Sequence, residues 1–134
     1  FFPRLKLSLT LVKVITLILI VTAFFITVFN VNKWYTVTNF SVFALLLIYS
    51  YLKNIKNLGK FYLSFLIMLI PFFIVNGILT GSFITEEVVW YNNAENLGVR
   101  MFTIPVEDAF YAFTLLYGNY LVIEHLKLKF KKSE

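Results

Sequence analysis

Four apolar blocks decide what this chain can fold into. They run from about Leu7 to Phe29, Trp34 to Tyr51, Phe61 to Phe83 and Ile104 to Ile123. Each is close to the roughly 20 residues that a helix needs to cross a hydrocarbon core. They are apolar on every side rather than on one face, so lipid is their natural solvent. Composition agrees: 60% of residues are hydrophobic, 19% aromatic and only 14% charged, where a soluble domain carries about a quarter charged residues. The expected fold class is therefore all-α, an integral membrane bundle with four transmembrane helices. None of the blocks is a signal peptide, because all are too long and lack a cleavage site. The chain opens on Phe1 rather than methionine, and it is expected to be a fragment, a processed chain or part of something longer.

Orientation follows from the basic residues. Arg4, Lys6 and Lys13 precede or open the first block, with Lys13 able to snorkel toward headgroups. Lys53, Lys56 and Lys60 fill the second connection, and Lys127, Lys129, Lys131 and Lys132 follow the fourth block. The other two connections hold only Lys33 and Arg100. The bias toward one side places both termini in the cytoplasm, with a bacterial inner membrane as the expected location. The net charge of +5 then reflects topology and attraction to anionic membrane lipid, and nucleic acid is not an expected partner. A longer outer loop, about Gly81 to Met101, carries Glu86, Glu87 and Glu95.

Several chemistries drop out. The chain has no cysteine, hence no disulfide, thiolate metal site or thiol nucleophile. A single histidine, His125, cannot build a multi-histidine metal site. No glycine-rich nucleotide motif is present, so no flavin, nicotinamide or nucleotide is indicated. No lysine sits mid-helix for a retinal Schiff base, and no aspartate-rich Mg²⁺ motif suggests a prenyl-diphosphate transferase. No cofactor and no metal is expected.

Two acids break the apolar pattern. Glu107 and Asp108 follow Pro105, which is favoured at a helix start because its missing N–H is not needed there. The helix is expected to begin at Pro105 and to span about 19 residues, roughly 28 Å, to Ile123. Both acids then lie just below the outer interface. One reading makes them first-turn residues that complement the helix dipole. The other makes one of them a functional acid in a membrane pocket, where burial favours the neutral form and the dipole favours the carboxylate. Phe110 and Tyr111, three and four residues on, are expected on the face of Glu107, with Thr114 and Gly118 continuing the stripe. An acid bordered by π-faces suits a substrate that becomes a carbocation on protonation. An interfacial aromatic belt would produce the same composition.

Arg100 is expected to pair with Glu95 or Glu107, to bind a lipid phosphate, or simply to sit at the interface. Asn76 wants a partner in lipid, on a neighbouring helix or beside the acid. The spacing of Gly77 and Gly81 permits close helix packing.

The stretch Val89-Trp90-Tyr91-Asn92-Asn93-Ala94-Glu95-Asn96-Leu97-Gly98-Val99-Arg100, followed by Thr103-Ile104-Pro105-Val106-Glu107-Asp108-Ala109-Phe110-Tyr111, resembles the lycopene cyclase domain. That is a membrane-integral carotenoid cyclase family whose hallmark is Pro-x-Glu-Glu or Pro-x-Glu-Asp opening a membrane helix. The lead-in Asn76-Gly77-Ile78-Leu79-Thr80-Gly81 also looks like it, and the resemblance covers about residues 34–123. It implies two three-helix domains, fused or as separate subunits. This chain would be the second: a connecting helix (1–33), the three-helix domain (34–126) and a basic cytoplasmic tail (127–134). With the first domain the assembly would have seven helices, and activity is expected only in that company.

The resemblance further implies lycopene as substrate and proton-initiated closure of its end groups to ionone rings, with the β type expected. Glu107 and Asp108 are the implied catalytic residues. Phe110, Tyr111, Thr114, Asn76 and Trp90 would contact the polyene, and Arg100, Glu95 and Pro105 would support them. Two rival readings are a non-catalytic membrane subunit, whose acids dock a partner helix, and a small transporter half.

Overall fold

The computed structural model describes residues 6–131; Phe1, Arg4 and Lys132 lie outside them. Four helices dominate: α1 (Leu9–Phe29), α2 (Trp34–Lys53), α3 (Ile55–Leu79) and α4 (Val106–Lys131). A two-stranded antiparallel hairpin, β1 (Arg100–Met101) and β2 (Ile104–Pro105), precedes α4. The all-α expectation therefore acquires a small β element, whose two-residue strands are too short to leave a periodic signal. Pro105 closes β2, and α4 begins one residue later.

Three helices, α1, α2 and α3, are long and apolar enough to cross a membrane. Their outer faces stay apolar: Phe24 is 60% and Ile70 65% exposed, which lipid tolerates and water does not. In α4 the two acids, several tyrosines and Asn119 dilute the apolar character.

Helix boundaries depart from the apolar blocks because helicity and hydrophobicity are separate properties. Lys53, Lys56 and Lys60 do not fill a loop. The connection is Asn54 alone, whose N–H bonds the Ser50 carbonyl at 2.8 Å, and Lys56 and Lys60 lie in the first turns of α3. Lys127 and Lys129 likewise ride on α4, which continues about two turns past Ile123. Polar residues with good helix propensity extend a helix past its apolar run at little cost.

At its other end α3 stops at Leu79, short of Phe83. The Gly81 N–H bonds the Ile78 carbonyl at 3.2 Å and the Ser82 N–H bonds the Gly77 carbonyl at 2.8 Å, a Schellman closure. Gly81 has φ 96°, a conformation open to glycine. The Gly77/Gly81 pair therefore builds a helix cap rather than a helix–helix seam.

Helices α1 and α3 run in one direction, with Thr16 Oγ1 and Tyr62 Oη 2.8 Å apart. Helices α2 and α4 run in the other, their N-termini joined where Asn39 Nδ2 donates to the Glu107 carbonyl at 2.8 Å. The core holds Phe40, Phe43 and Leu47 of α2, Leu58 and Tyr62 of α3, and Phe113 and Tyr117 of α4. Edge-to-face contacts fasten α3 to α4 at one level: Phe61 and Phe65 meet Phe113 at 5.0 and 4.9 Å. Beyond Phe65, a cleft separates Met68, Phe72 and Asn76 of α3 from Asp108, Tyr111 and Leu115 of α4.

Candidate active site

The cleft lies at the end of the bundle where α2 and α4 begin and α3 ends. It has a volume of about 330 Å³, and its walls include Tyr35, Phe72, Asn76, Tyr91, Asp108 and Tyr111. Tyr111 is 53% exposed, so the cleft is open on its outward side.

Asp108 stands at the head of this cleft. Tyr35 Oη donates to its Oδ1 and Tyr91 Oη to its Oδ2, each at 2.5 Å. Burial first, and then the bond to Asp108, push the Tyr91 hydroxyl well above the usual tyrosine range, so it stays a donor.

Glu107 faces the other way, into the protein, and is fully buried. Its Oε1 accepts from Thr36 Oγ1 at 2.9 Å and from the Leu97 N–H at 2.6 Å. Its Oε2, and Oδ1 of Asn39, have no partner among the described residues. No cation pairs with Glu107 among the described residues; the one ion pair there joins Lys127 to Glu124 at 3.4 Å.

The outer loop is built to reach both acids. Asn96 is buried, and its Oδ1 accepts from the Gly98 N–H at 2.7 Å. Gly98 has φ 72°, and this tight turn presents the Leu97 N–H to Glu107. Glu95 caps α2: its carbonyl accepts from the Tyr35 and Thr36 N–H groups, and its Oε2 from that of Trp34. A residue 61 positions away thus satisfies donors that Lys33, with no side-chain cap bond, leaves free. Arg100 pairs with neither Glu95 nor Glu107. Its guanidinium donates to the Thr103 carbonyl at 2.7 Å and to Asn93 Oδ1 at 2.9 Å, and lies 5.8 Å from the Tyr91 ring centre. Thr103 Oγ1 lies 2.6 Å from the hydroxyls of both Thr80 and Ser82, tying the hairpin to the end of α3.

The residues expected to surround Glu107 are divided. Tyr111 goes with Asp108 into the cleft, while Phe110 packs inward on Phe40 and Phe43, at 4.8 and 5.1 Å between ring centres. Thr114 bonds the Phe110 carbonyl of its own helix at 2.9 Å, and Trp90 is 72% exposed, outside the cleft walls. Asn76 lines the cleft, but its amide donates to the Phe72 carbonyl of its own helix at 2.9 Å rather than to a neighbour. Tyr35 and Thr36 join the site although no motif points to them. The available signal was a polar cluster, Tyr35, Thr36 and Asn39, in the first turns of an otherwise apolar helix.

The chain is a helical bundle with lipid-compatible faces, in which one helix opens on a buried pair of carboxyls and turns one of the two into an aromatic cleft. The chain belongs to the lycopene cyclase family, whose family model matches residues 32–126. No curated protein and no solved structure matches it. Family membership assigns a carotenoid cyclase function and a carotenoid substrate. The match begins in the α1–α2 turn and takes in α2, α3, the outer loop and most of α4; α1 lies outside it.

Proposed function

We propose that this chain is the second half of a lycopene cyclase, an isomerase that closes the end groups of lycopene to β-ionone rings together with a homologous first domain. All four helices cross the membrane, both termini face the cytoplasm, and the complete enzyme has seven helices. The observation that carries this reading is Asp108, a carboxyl at the head of an outward-open aromatic cleft in a chain of this family.

The chemistry needs an acid, a base, a dry cavity and π-faces. A proton adds to the terminal double bond of the polyene, leaving a tertiary cation. An inner double bond attacks that cation and closes the ring, and loss of a different proton restores neutrality, so no atoms are gained or lost. Asp108 is the carboxyl that exchanges a proton with the polyene, and Tyr35 and Tyr91 hold it in place. The Phe72 and Tyr111 rings face the developing cation.

Glu107 backs Asp108 as the second carboxyl of the pair, fully buried, with Oε1 held by Thr36 and the Leu97 N–H and Oε2 without a partner among the described residues. General acid–base catalysis by such a carboxyl pair contributes about 10²–10⁴ in rate.

The test is co-expression of this chain with and without a first lycopene cyclase domain in cells that accumulate lycopene, followed by identification of the pigments. Cyclic product only in the paired cells supports the proposal; lycopene unchanged in both, with both halves inserted, overturns it.

A further inference from the structure

A second cleft lies at the opposite end of the bundle, between the starts of α1 and α3. Its volume is about 220 Å³, and Lys6, Lys56 and Lys60 line it beside Leu7, Val12 and Leu63. No acidic residue lines it, and none of the three lysines makes an ion pair among the described residues. The N-termini of α1 and α3 add potential of the same sign.

We infer that this cleft is a binding site for the phosphate headgroup of an anionic membrane phospholipid. Charge complementarity selects an anion. The apolar remainder of the wall selects a lipid over a free ion, because it continues into the exposed apolar face of α1, where Leu9 and Leu11 are 44% and 46% exposed. A phosphate held by the lysines would lay its acyl chains along that face. Lys6, Leu7, Leu9 and Val12, on α1 and just before it, lie outside the residues the family model matches, so the site is separate from the carboxyl pair. The lipid would hold α1 to α3 where Val12 rests against Gly59.

The experiment follows thermal unfolding of the purified chain in a zwitterionic detergent, titrated separately with phosphatidylglycerol, phosphatidylcholine and inorganic phosphate. A ligand that binds the folded state raises the melting temperature. Only phosphatidylglycerol is expected to do so. The double variant Lys56→Gln/Lys60→Gln should need roughly tenfold or more lipid for the same rise. The control Lys127→Gln/Lys129→Gln, with equal charge removed outside the cleft, should respond as the parent does. Lys6→Gln precedes α1, so it tests the site without altering a helix, and it should weaken the response as well. Equal weakening in the control double variant, an unaltered response in Lys6→Gln, or an equal rise with inorganic phosphate or phosphatidylcholine would each overturn the proposal.

Discussion

Glu107 and Asp108 are adjacent in the chain yet face opposite surroundings. The Glu107 carboxyl is sealed against Thr36 and the Leu97 N–H, while that of Asp108 heads an open cleft between two tyrosine hydroxyls. Consecutive residues on a helix diverge by about 100°, and the packing of α2 against one side of α4 turns that angle into a division between interior and cleft.

Asp108→Asn keeps the shape and much of the hydrogen bonding but removes the carboxyl that exchanges a proton with the polyene. It should lower cyclisation by about 10²–10⁴-fold with insertion and pairing intact. Pigment analysis in lycopene-accumulating cells checks this, and a wild-type rate would remove Asp108 from the chemistry.

Glu107→Gln preserves an acceptor for Thr36 and Leu97, so the loop should still dock. Cyclisation should nonetheless fall by at least about tenfold, because an amide cannot take up and release a proton as a carboxyl can. Retained activity would reduce Glu107 to an anchor for the outer loop. Glu107→Ala goes further, leaving the Leu97 N–H without its acceptor, and should cost roughly 1–3 kcal/mol of stability.

Tyr91 offers a pH test. Its proton is held more tightly in the folded state than in the unfolded one. The stability it contributes is therefore complete below the ordinary tyrosine pKa, near 10, and is lost as pH rises through and beyond that value. Melting temperature should fall more steeply for the parent than for Tyr91→Phe above about pH 10. Identical alkaline slopes would place the hydroxyl in contact with water.

Gly81→Ala should destabilise the chain by about 1 kcal/mol or more. A Cβ there would sit 3.3 Å from that of Glu87, on a backbone with φ 96°. Thermal unfolding in detergent reads the loss, whereas Gly118→Ala, which meets nothing within 4 Å, should leave the transition unchanged or raise it.

Topology is testable with truncation fusions. Reporters after Lys60 and at the C-terminus should read cytoplasmic, and one near Asn93 external. An external reading after Lys60 would invert the bundle.

The number and order of the helices are legible in the sequence, because a run of apolar residues states its preferred solvent without reference to anything distant. So are the acids, since a carboxyl behind Pro105 is conspicuous in an apolar chain. Helix ends were less legible: the lysines around Asn54 and beyond Ile123 end the apolar runs without ending the helices. The partners of the acids were decided only by tertiary structure. Tyr111 is four residues from Glu107 and three from Asp108, both compatible with one face of a helix, so spacing could not assign it. The assignment comes from α2, which covers the Glu107 side of α4, and from the divergence of α3, which leaves the Asp108 side open. The bonds that hold both carboxyls join residues 10 to 73 positions apart, and nothing local in a single chain encodes which of its many tyrosines and backbone N–H groups will be brought there.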